Sequence, residues 1–377
     1  MRLLCVSHPC VVAANQEFYA RVEARSDWQI TIVLPARWRN EFGSIEASRW
    51  HAFKGDLAPT RVVGAGRVPL HVYATSFSRR IAAERPDAVY VHNEPYALAT
   101  FQVAQAMGKK SQTPFGFYSA QNIAKAYSWP ISAWERYVHR RATFALPISP
   151  SAEQTLRSRG YMGVAEVLPL GVPVDRFVRR DPGTRSGPLV LGYVGRLTPE
   201  KGVDTLLDAL ATLPAHTARA LVAGDGPAAH SLRKRAIALG LEHRVEWLGY
   251  VPHERAGGLY PSLDALVVPS RTTTHWSEQF GRVVIEAMAC GVPVVASDSG
   301  ALPDLVARTG GGWTFREGDP ASLADRIRAL ADGERFELRR RGSAGHEAVV
   351  RDFGLDGLAD RFAAAVSSAV RRSRRST

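Results

Sequence analysis

Cysteine is scarce in this chain, with three residues in 377. Cys5, Cys10 and Cys290 have neither the density of a disulfide scaffold nor the spacing of a metal site, and they read as small buried apolar residues. Long apolar runs are missing too. No stretch approaches the roughly 18 to 20 residues needed to cross a bilayer, and Met1 to Val6 enters a strand-like segment without a signal-peptide pattern. The expected location is the cytoplasm. There is no Asp-x-Asp pair and no His/Cys cluster with ligand spacing, so nothing in the sequence calls for a divalent metal.

Acidic residues are in the minority, and the formal charge of +12 suits an anionic partner such as a phosphorylated substrate or an acidic lipid surface. Most of the basic residues are dispersed arginines, and nucleic acid is not expected as a partner. The exception is the tail Arg371-Arg372-Ser373-Arg374-Arg375. It reads either as a solvated, disordered terminus or as a peripheral contact with the anionic inner face of a membrane. With 45% hydrophobic and 22% charged residues the chain is globular, and its length suits two domains of roughly 150 to 200 residues.

What is present is an alternation of short β-branched runs with helical patterns, the signature of parallel sheets covered by helices. In the first half the expected strands are residues 3–7, 29–34, 89–92, 114–118, 144–148 and 166–169, with helices near 16–25, 76–84, 97–107 and 132–141. The second half offers strands at 189–194, 220–223, 245–248, 265–268 and 292–296, with helices near 203–213, 228–239, 281–289 and 320–331. The polar, Gly- and Pro-rich segment 179–188 between them is the best linker. The expected fold class is α/β, with two doubly wound Rossmann-like domains facing each other across a cleft: residues 1–178, joined by a helix within 355–377, and residues 179–354. Such sheets bind ligands at the carboxyl ends of their strands.

The motifs lie at those ends. Strand 189–194 runs into Gly195-Arg196-Leu197-Thr198-Pro199-Glu200-Lys201-Gly202, where glycines admit a ligand close to the backbone while Arg196 and Lys201 offer a fork and a point charge to a polyanion. Strand 220–223 ends in Gly224-Asp225-Gly226-Pro227; Asp225 reads as a turn cap that lies beside the cleft. After strand 245–248, the amides near Tyr250 and Val251 are positioned to meet a nucleobase. The most informative stretch is Glu278-Gln279-Phe280-Gly281-Arg282-Val283-Val284-Ile285-Glu286. On one helix Glu278 and Glu286 would lie about 80° apart in phase. Glu278 is therefore expected in a loop, with a helix beginning near Phe280 or Gly281 whose unpaired amides and dipole favour a phosphate. Glu286, between Ile285 and Ala287, needs partners in so apolar a setting.

Taken together, Gly195-Arg196-Leu197 with Glu200-Lys201-Gly202, Ala223 to Pro227, and Glu278 to Glu286 followed by Ala-Met-Ala-Cys-Gly-Val-Pro-Val-Val resemble the retaining nucleotide-sugar glycosyltransferases of family 4, which have the GT-B fold. Leu168-Pro169-Leu170-Gly171-Val172-Pro173-Val174-Asp175-Arg176-Phe177 extends the resemblance towards the first domain. The resemblance implies that Arg196 and Lys201 bind the donor diphosphate, Glu278 holds the transferred sugar, Phe280 to Val283 supply amides, and Glu286 binds ribose. It also implies a metal-independent reaction with no cofactor beyond a nucleotide diphosphate sugar as co-substrate, and transfer to an acceptor hydroxyl.

The first domain departs from the family pattern. Paired glycines after strand one are replaced by His8-Pro9-Cys10-Val11-Val12-Ala13-Ala14-Asn15-Gln16, which makes Asn15 and Gln16 candidate acceptor or sugar ligands. Where a histidine is common near the transferred sugar, this chain has Gln121 and Asn122, amides that hydrogen-bond hydroxyls but do not titrate. His92, ending another strand, is a rival. The leading expectation is a hexosyltransferase. The alternatives are a nucleotide-sugar epimerase or hydrolase on the same fold, or a sugar-nucleotide-binding protein without catalysis.

Overall fold

The computed structural model describes residues 1–40, 43–108, 111–179, 187–333 and 335–375. The chain divides into two compact units, one formed by Met1–Pro169 with Leu355–Thr377 and the other by Leu170–Gly354. Most of the expected linker, residues 180–186, lies outside the described residues. The change of unit falls at Pro169–Leu170, upstream of the expected 178/179 boundary. The reason is local: the Val172 N–H donates to Phe353 O at 2.9 Å, and Phe177 packs near Tyr260, so residues 170–178 belong with the second unit.

The first unit holds a seven-stranded sheet. Its strands are β1 (Arg2–Val6), β2 (Gln29–Pro35), β3 (Asp56–Thr60), β4 (Ala88–Val91), β5 (Phe115–Ser119), β6 (Phe144–Pro147) and β7 (Val164–Ala165), in the order β7-β6-β5-β4-β1-β2-β3. Every pairing is parallel. Alternation along β1 sends Leu3 and Cys5 to one face and Leu4 and Val6 to the other, and each face meets its own apolar cluster. The strand order reverses between β1 and β4, opening a crevice at their carboxyl ends.

Helix Leu355–Arg375 belongs to this unit. Its Leu355, Leu358, Ala359, Phe362, Ala365, Val366, Ala369 and Val370 form one buried stripe, with Phe362 edge-on to Phe18, Tyr19 and Tyr90. Arg21 and Arg25 grip its outer turns through Asp356 and Asp360. The basic tail corrects one expectation: residues 371–375 are helical rather than disordered, and Arg374 pairs with Asp87 at 3.0 Å.

The second unit carries β8 (Leu189–Val194), β9 (Ala218–Ala223), β10 (Val245–Gly249), β11 (Ala265–Val268), β12 (Val294–Ser297) and β13 (Gly312–Phe315), all parallel, in the order β10-β9-β8-β11-β12-β13. Here the reversal falls between β8 and β11, where Leu191 pairs with Ala265.

Several elements differ from expectation. Residues 166–169 form no strand; β7 is only Val164–Ala165, although the Leu168 N–H still donates to Pro147 O. Strands β3 and β13, helices Pro150–Ser158, Leu302–Thr309 and Arg335–Phe353, and the antiparallel pairs Arg37–Asn40 with Gly43–Glu46 and Val62–Val63 with Val72–Tyr73 add to the expected set. All three cysteines are buried, which pushes the Cys10 and Cys290 thiols up to about 12. Among the described residues, no helix is long and apolar enough to cross a membrane.

Candidate active site

At the carboxyl ends of β8 and β9 two glycine loops lie backbone to backbone. The Gly195 N–H donates to Ala223 O at 3.0 Å, and the Leu197 N–H to Asp225 O at 2.9 Å. A Cβ on Gly224, whose φ is +155°, would stand 1.8 Å from the Gly195 carbonyl oxygen, so no side chain fits there. This close approach puts Arg196 and Asp225, neither of them buried, on adjacent turns. Asp225 Oδ1 accepts from the Gly226 N–H at 2.7 Å, but the helix that follows takes Ala228, not Asp225, as its N-cap. Tyr193 donates its hydroxyl to Arg196 O at 2.6 Å and fixes the first loop from beneath. Beyond β10, Tyr250 is 59% exposed.

Lys201 closes the first loop and reaches across the strand reversal. Its Nζ lies 2.7 Å from Glu278 Oε2 and 4.7 Å from the centroid of the Trp276 ring. The same carboxylate oxygen accepts from Ser270 Oγ at 2.8 Å. Glu278 is nearly buried and sits in a loop, as the phase argument required. Its backbone is clamped as well: the Ala301 N–H donates to Glu278 O at 2.9 Å, and a Cβ on Gly300, at φ +56°, would stand 2.1 Å from that oxygen.

The helix begins at Arg282 and runs to Ala289, with Gly281 in the left-handed region as its N-cap. The first-turn amides of Arg282 and Val283 and the positive dipole end therefore follow directly on the Glu278 loop. Phe280 is buried against Phe353 and contributes to the core through its side chain. Glu286, 2% exposed, receives the Tyr260 hydroxyl on Oε2 at 2.7 Å, and Arg282 Nε approaches its other oxygen at 3.7 Å. Burial and the neighbouring Glu286 charge push the Tyr260 phenol well above its ordinary range.

In the first unit, the candidates divide. Gln16 is corrected to a structural residue. It is fully buried, its Nε2 donates to Cys10 O and Ser48 O at 2.8 and 2.7 Å, and its Oε1 accepts from the Trp50 N–H at 2.8 Å. Asn15 Nδ2 donates to Pro9 O at 2.8 Å and braces the loop after β1. His92 Nδ1 meets the Tyr19 hydroxyl at 3.1 Å, and its ring packs on Tyr118. Gln121, mostly buried, donates to Ile123 O at 2.6 Å and stands next to Asn122 in the turn after β5. His8, where the paired glycines were expected, packs on Trp38 and His71 at 5.0 and 5.3 Å; burial, reinforced by His71 and His92, lowers its imidazole to about 3.

One residue at this end of the sheet carries no sequence motif. Glu94, two residues past His92, is buried, with Oε1 accepting from the Ala120 N–H at 2.7 Å and Oε2 from Ser119 Oγ at 2.9 Å. Burial pushes its carboxyl up to about 7, against the lowering effect of those bonds. The one signal in the sequence is its place at a strand's carboxyl end.

Among the described residues no group of three His, Cys, Asp or Glu side chains is arranged to hold a metal ion. The family model for glycosyl transferases group 1 matches residues 174–346. A D-inositol 3-phosphate glycosyltransferase of Corynebacterium efficiens is 34% identical over 201 residues, 51% of this chain and 45% of that protein, so the chain spans less than half that relative's length. The glycogen synthase of Mycobacterium tuberculosis is 30% identical over 304 residues, 77% of this chain and 70% of that protein. Two solved structures share the fold at 19% identity. One is HepE of Anabaena in complex with UDP (TM-score 0.76, covering 98% of this chain and 100% of that one). The other is sucrose-phosphate synthase of Thermosynechococcus elongatus (TM-score 0.74, covering 100% of both chains). The two Rossmann-like units are those of the GT-B fold, and the chain belongs to the glycosyl transferases of group 1.

Proposed function

We propose that this protein transfers a hexosyl unit from a nucleotide diphosphate sugar to an acceptor hydroxyl, with retention at the anomeric carbon and without a metal. The observation that carries the reading is the Lys201–Glu278 pair beside the amino end of helix Arg282–Ala289. It pairs a cation with a carboxylate in the loop that leads into the first helical amides. A diphosphate needs the first and third, and sugar hydroxyls need the second. Structures similar in fold were solved with UDP and with UDP-glucose.

On this reading Arg196, Lys201 and the amides of Phe280 to Val283 receive the diphosphate and stabilise its charge as it departs. Gly195, Gly224 and Gly226 let the ligand approach the backbone, with Asp225 at the rim. Glu278 orients the transferred sugar, Glu286 the ribose, and the Tyr250 and Val251 amides the base. The leaving phosphate takes the proton of the incoming hydroxyl, so no enzyme nucleophile forms a covalent intermediate. The acceptor, of glycolipid, exopolysaccharide or natural-product type, meets the first unit near Gln121, Asn122, His92 and Asn15. The enzyme works in the cytoplasm.

The test is a panel of UDP-, GDP-, ADP- and TDP-hexoses, each incubated with glycosides, polyols and glycolipids, with EDTA or with added Mg²⁺. Free nucleotide formed only with an acceptor, unaffected by EDTA and accompanied by an anomerically retained product in the NMR spectrum, is the expected result. Donor loss without an acceptor would instead indicate hydrolysis or epimerisation. Binding without turnover would indicate an inactive module, and undiminished turnover by Glu278→Ala would sink the site.

A further inference from the structure

The buried carboxylate of Glu94 has no part in the reaction so far described. Both its oxygens are engaged across the sheet, Oε1 by the Ala120 N–H and Oε2 by Ser119 Oγ, at 26 and 25 residues' separation along the chain. Its own backbone is locked as firmly: the Glu94 N–H donates to Asn93 Oδ1 at 2.9 Å, and its carbonyl accepts from Thr100 Oγ1 at 2.8 Å and the Ala97 N–H at 3.1 Å. The charged and titratable groups around it are all otherwise committed. Arg159 is held by Glu135 and lies over Tyr127, whose ring packs on Tyr96. Among the described residues no cation pairs with Glu94.

A carboxylate buried without a cation is a costly way to fill space, because desolvation is not repaid by an ion pair. It does provide two coplanar acceptors that reach a side chain and a backbone amide at consecutive positions. That fixes the direction in which the chain leaves β5, and the next two residues are Gln121 and Asn122. A fully satisfied polar link of this kind specifies one geometry where apolar packing would tolerate several.

We propose that Glu94 is a positioning residue: it ties the carboxyl end of β4 to the Ser119–Asn122 turn and thereby orients the Gln121 and Asn122 amides towards the acceptor. The inference rests on the glycosyltransferase reading above, which gives that turn an acceptor to meet.

The experiment compares wild type, Glu94→Gln, Glu94→Ala and Ser119→Ala. Steady-state kinetics use the nucleotide hexose and glycoside that turn over fastest in the panel above, and amide hydrogen exchange is followed over residues 119–123. A glutamine side chain at this position would keep both links, its carbonyl accepting from Ala120 and its NH₂ donating to Ser119. Glu94→Gln is therefore expected to stay within about three-fold of wild type in every parameter. Glu94→Ala should lower kcat/KM for the acceptor at least about ten-fold, leave the donor KM within about two-fold, and speed exchange in the turn. Ser119→Ala removes one link only, and an intermediate effect is expected; it covers the case in which the alanine at 94 prevents folding. In Glu94→Ala, acceptor kinetics within about two-fold of wild type, equal changes in donor and acceptor KM, or unchanged exchange would each overturn the proposal. If wild type itself turns over no nucleotide sugar, the functional reading fails, while the exchange measurement still decides whether Glu94 holds the turn.

Discussion

Lys201 and Glu278 lie 77 residues apart in the chain and 2.7 Å apart in space, with their side chains 25% and 12% exposed. Neither charge is fully hydrated, so removing one leaves the other in a poor environment. Lys201→Met should reduce kcat/KM for the nucleotide sugar by about 10² to 10³, as loss of a charge-stabilising donor does. Lys201→Arg should restore little of it, because a planar fork does not reproduce a point charge held against both Glu278 and the Trp276 face. Steady-state kinetics on the two variants check this.

Glu278→Gln keeps the bond from Ser270 and loses the ion pair. The expected outcome is a large fall in kcat with nucleoside diphosphate affinity changed by less than about three-fold, since the carboxylate is assigned to the sugar rather than the phosphates. Calorimetric titration with UDP and GDP beside the kinetics separates the two. Equal losses in both would move Glu278 to the phosphate side.

Gly300→Ala tests the clamp on the Glu278 backbone. A methyl group 2.1 Å from the Glu278 carbonyl oxygen, on a residue at φ +56°, forces the loop to shift. The expected cost is about 1 to 3 kcal/mol in denaturant unfolding, with activity falling further than stability.

Tyr260→Phe leaves Glu286 buried without its hydroxyl donor. It should destabilise the protein by about 1 to 3 kcal/mol, the cost of losing a buried hydrogen bond to a charged group. Adding Glu286→Leu to it should recover part of that loss, because the carboxylate that the hydroxyl served is gone. A double-mutant cycle in urea measures the coupling.

Glu94 gives stability a pH dependence. Its carboxyl is raised from an ordinary 4.5 to about 7 in the folded state, so the folded protein binds this proton more tightly than the unfolded chain. The stabilisation is fully present below about 4.5 and is lost as pH rises through about 7, by a total of about 3 kcal/mol. Urea midpoints at pH 5 and pH 8 should fall with pH in wild type relative to Glu94→Gln. A parallel course for the two proteins would remove Glu94 as the cause.

The alternating order of strands and helices is legible in the sequence because β-branched runs and amphipathic periods are local signals. The glycine-and-charge motifs of the second unit are legible because packing alone seldom places both glycines and charges at strand ends. Strand β3 is not, because Pro59 marks it as a non-strand although at a sheet edge the missing donor is harmless. Helix Arg335–Phe353 is hidden by Gly342 and Gly345, which look like breakers. They are contact points: a Cβ on Gly342 would strike the Gly291 carbonyl, and one on Gly345 would crowd Met288 and Gly311. Gln16 misleads for the opposite reason, since a buried amide satisfied by distant backbone and a ligand-binding amide are identical in sequence. Glu94 is illegible because an isolated glutamate after a strand looks like a surface charge until the turn that covers it is known.

The helix Leu355–Arg375 supplies Phe362 and its neighbours to the core of a unit whose preceding residues end at Pro169. During synthesis the ribosome therefore completes the second unit, which is one unbroken stretch, before the piece that seals the first has been translated. The half that is made first is the half that matures last. Until that helix emerges, the apolar sheet face that Phe362 and its neighbours cover lacks its partner.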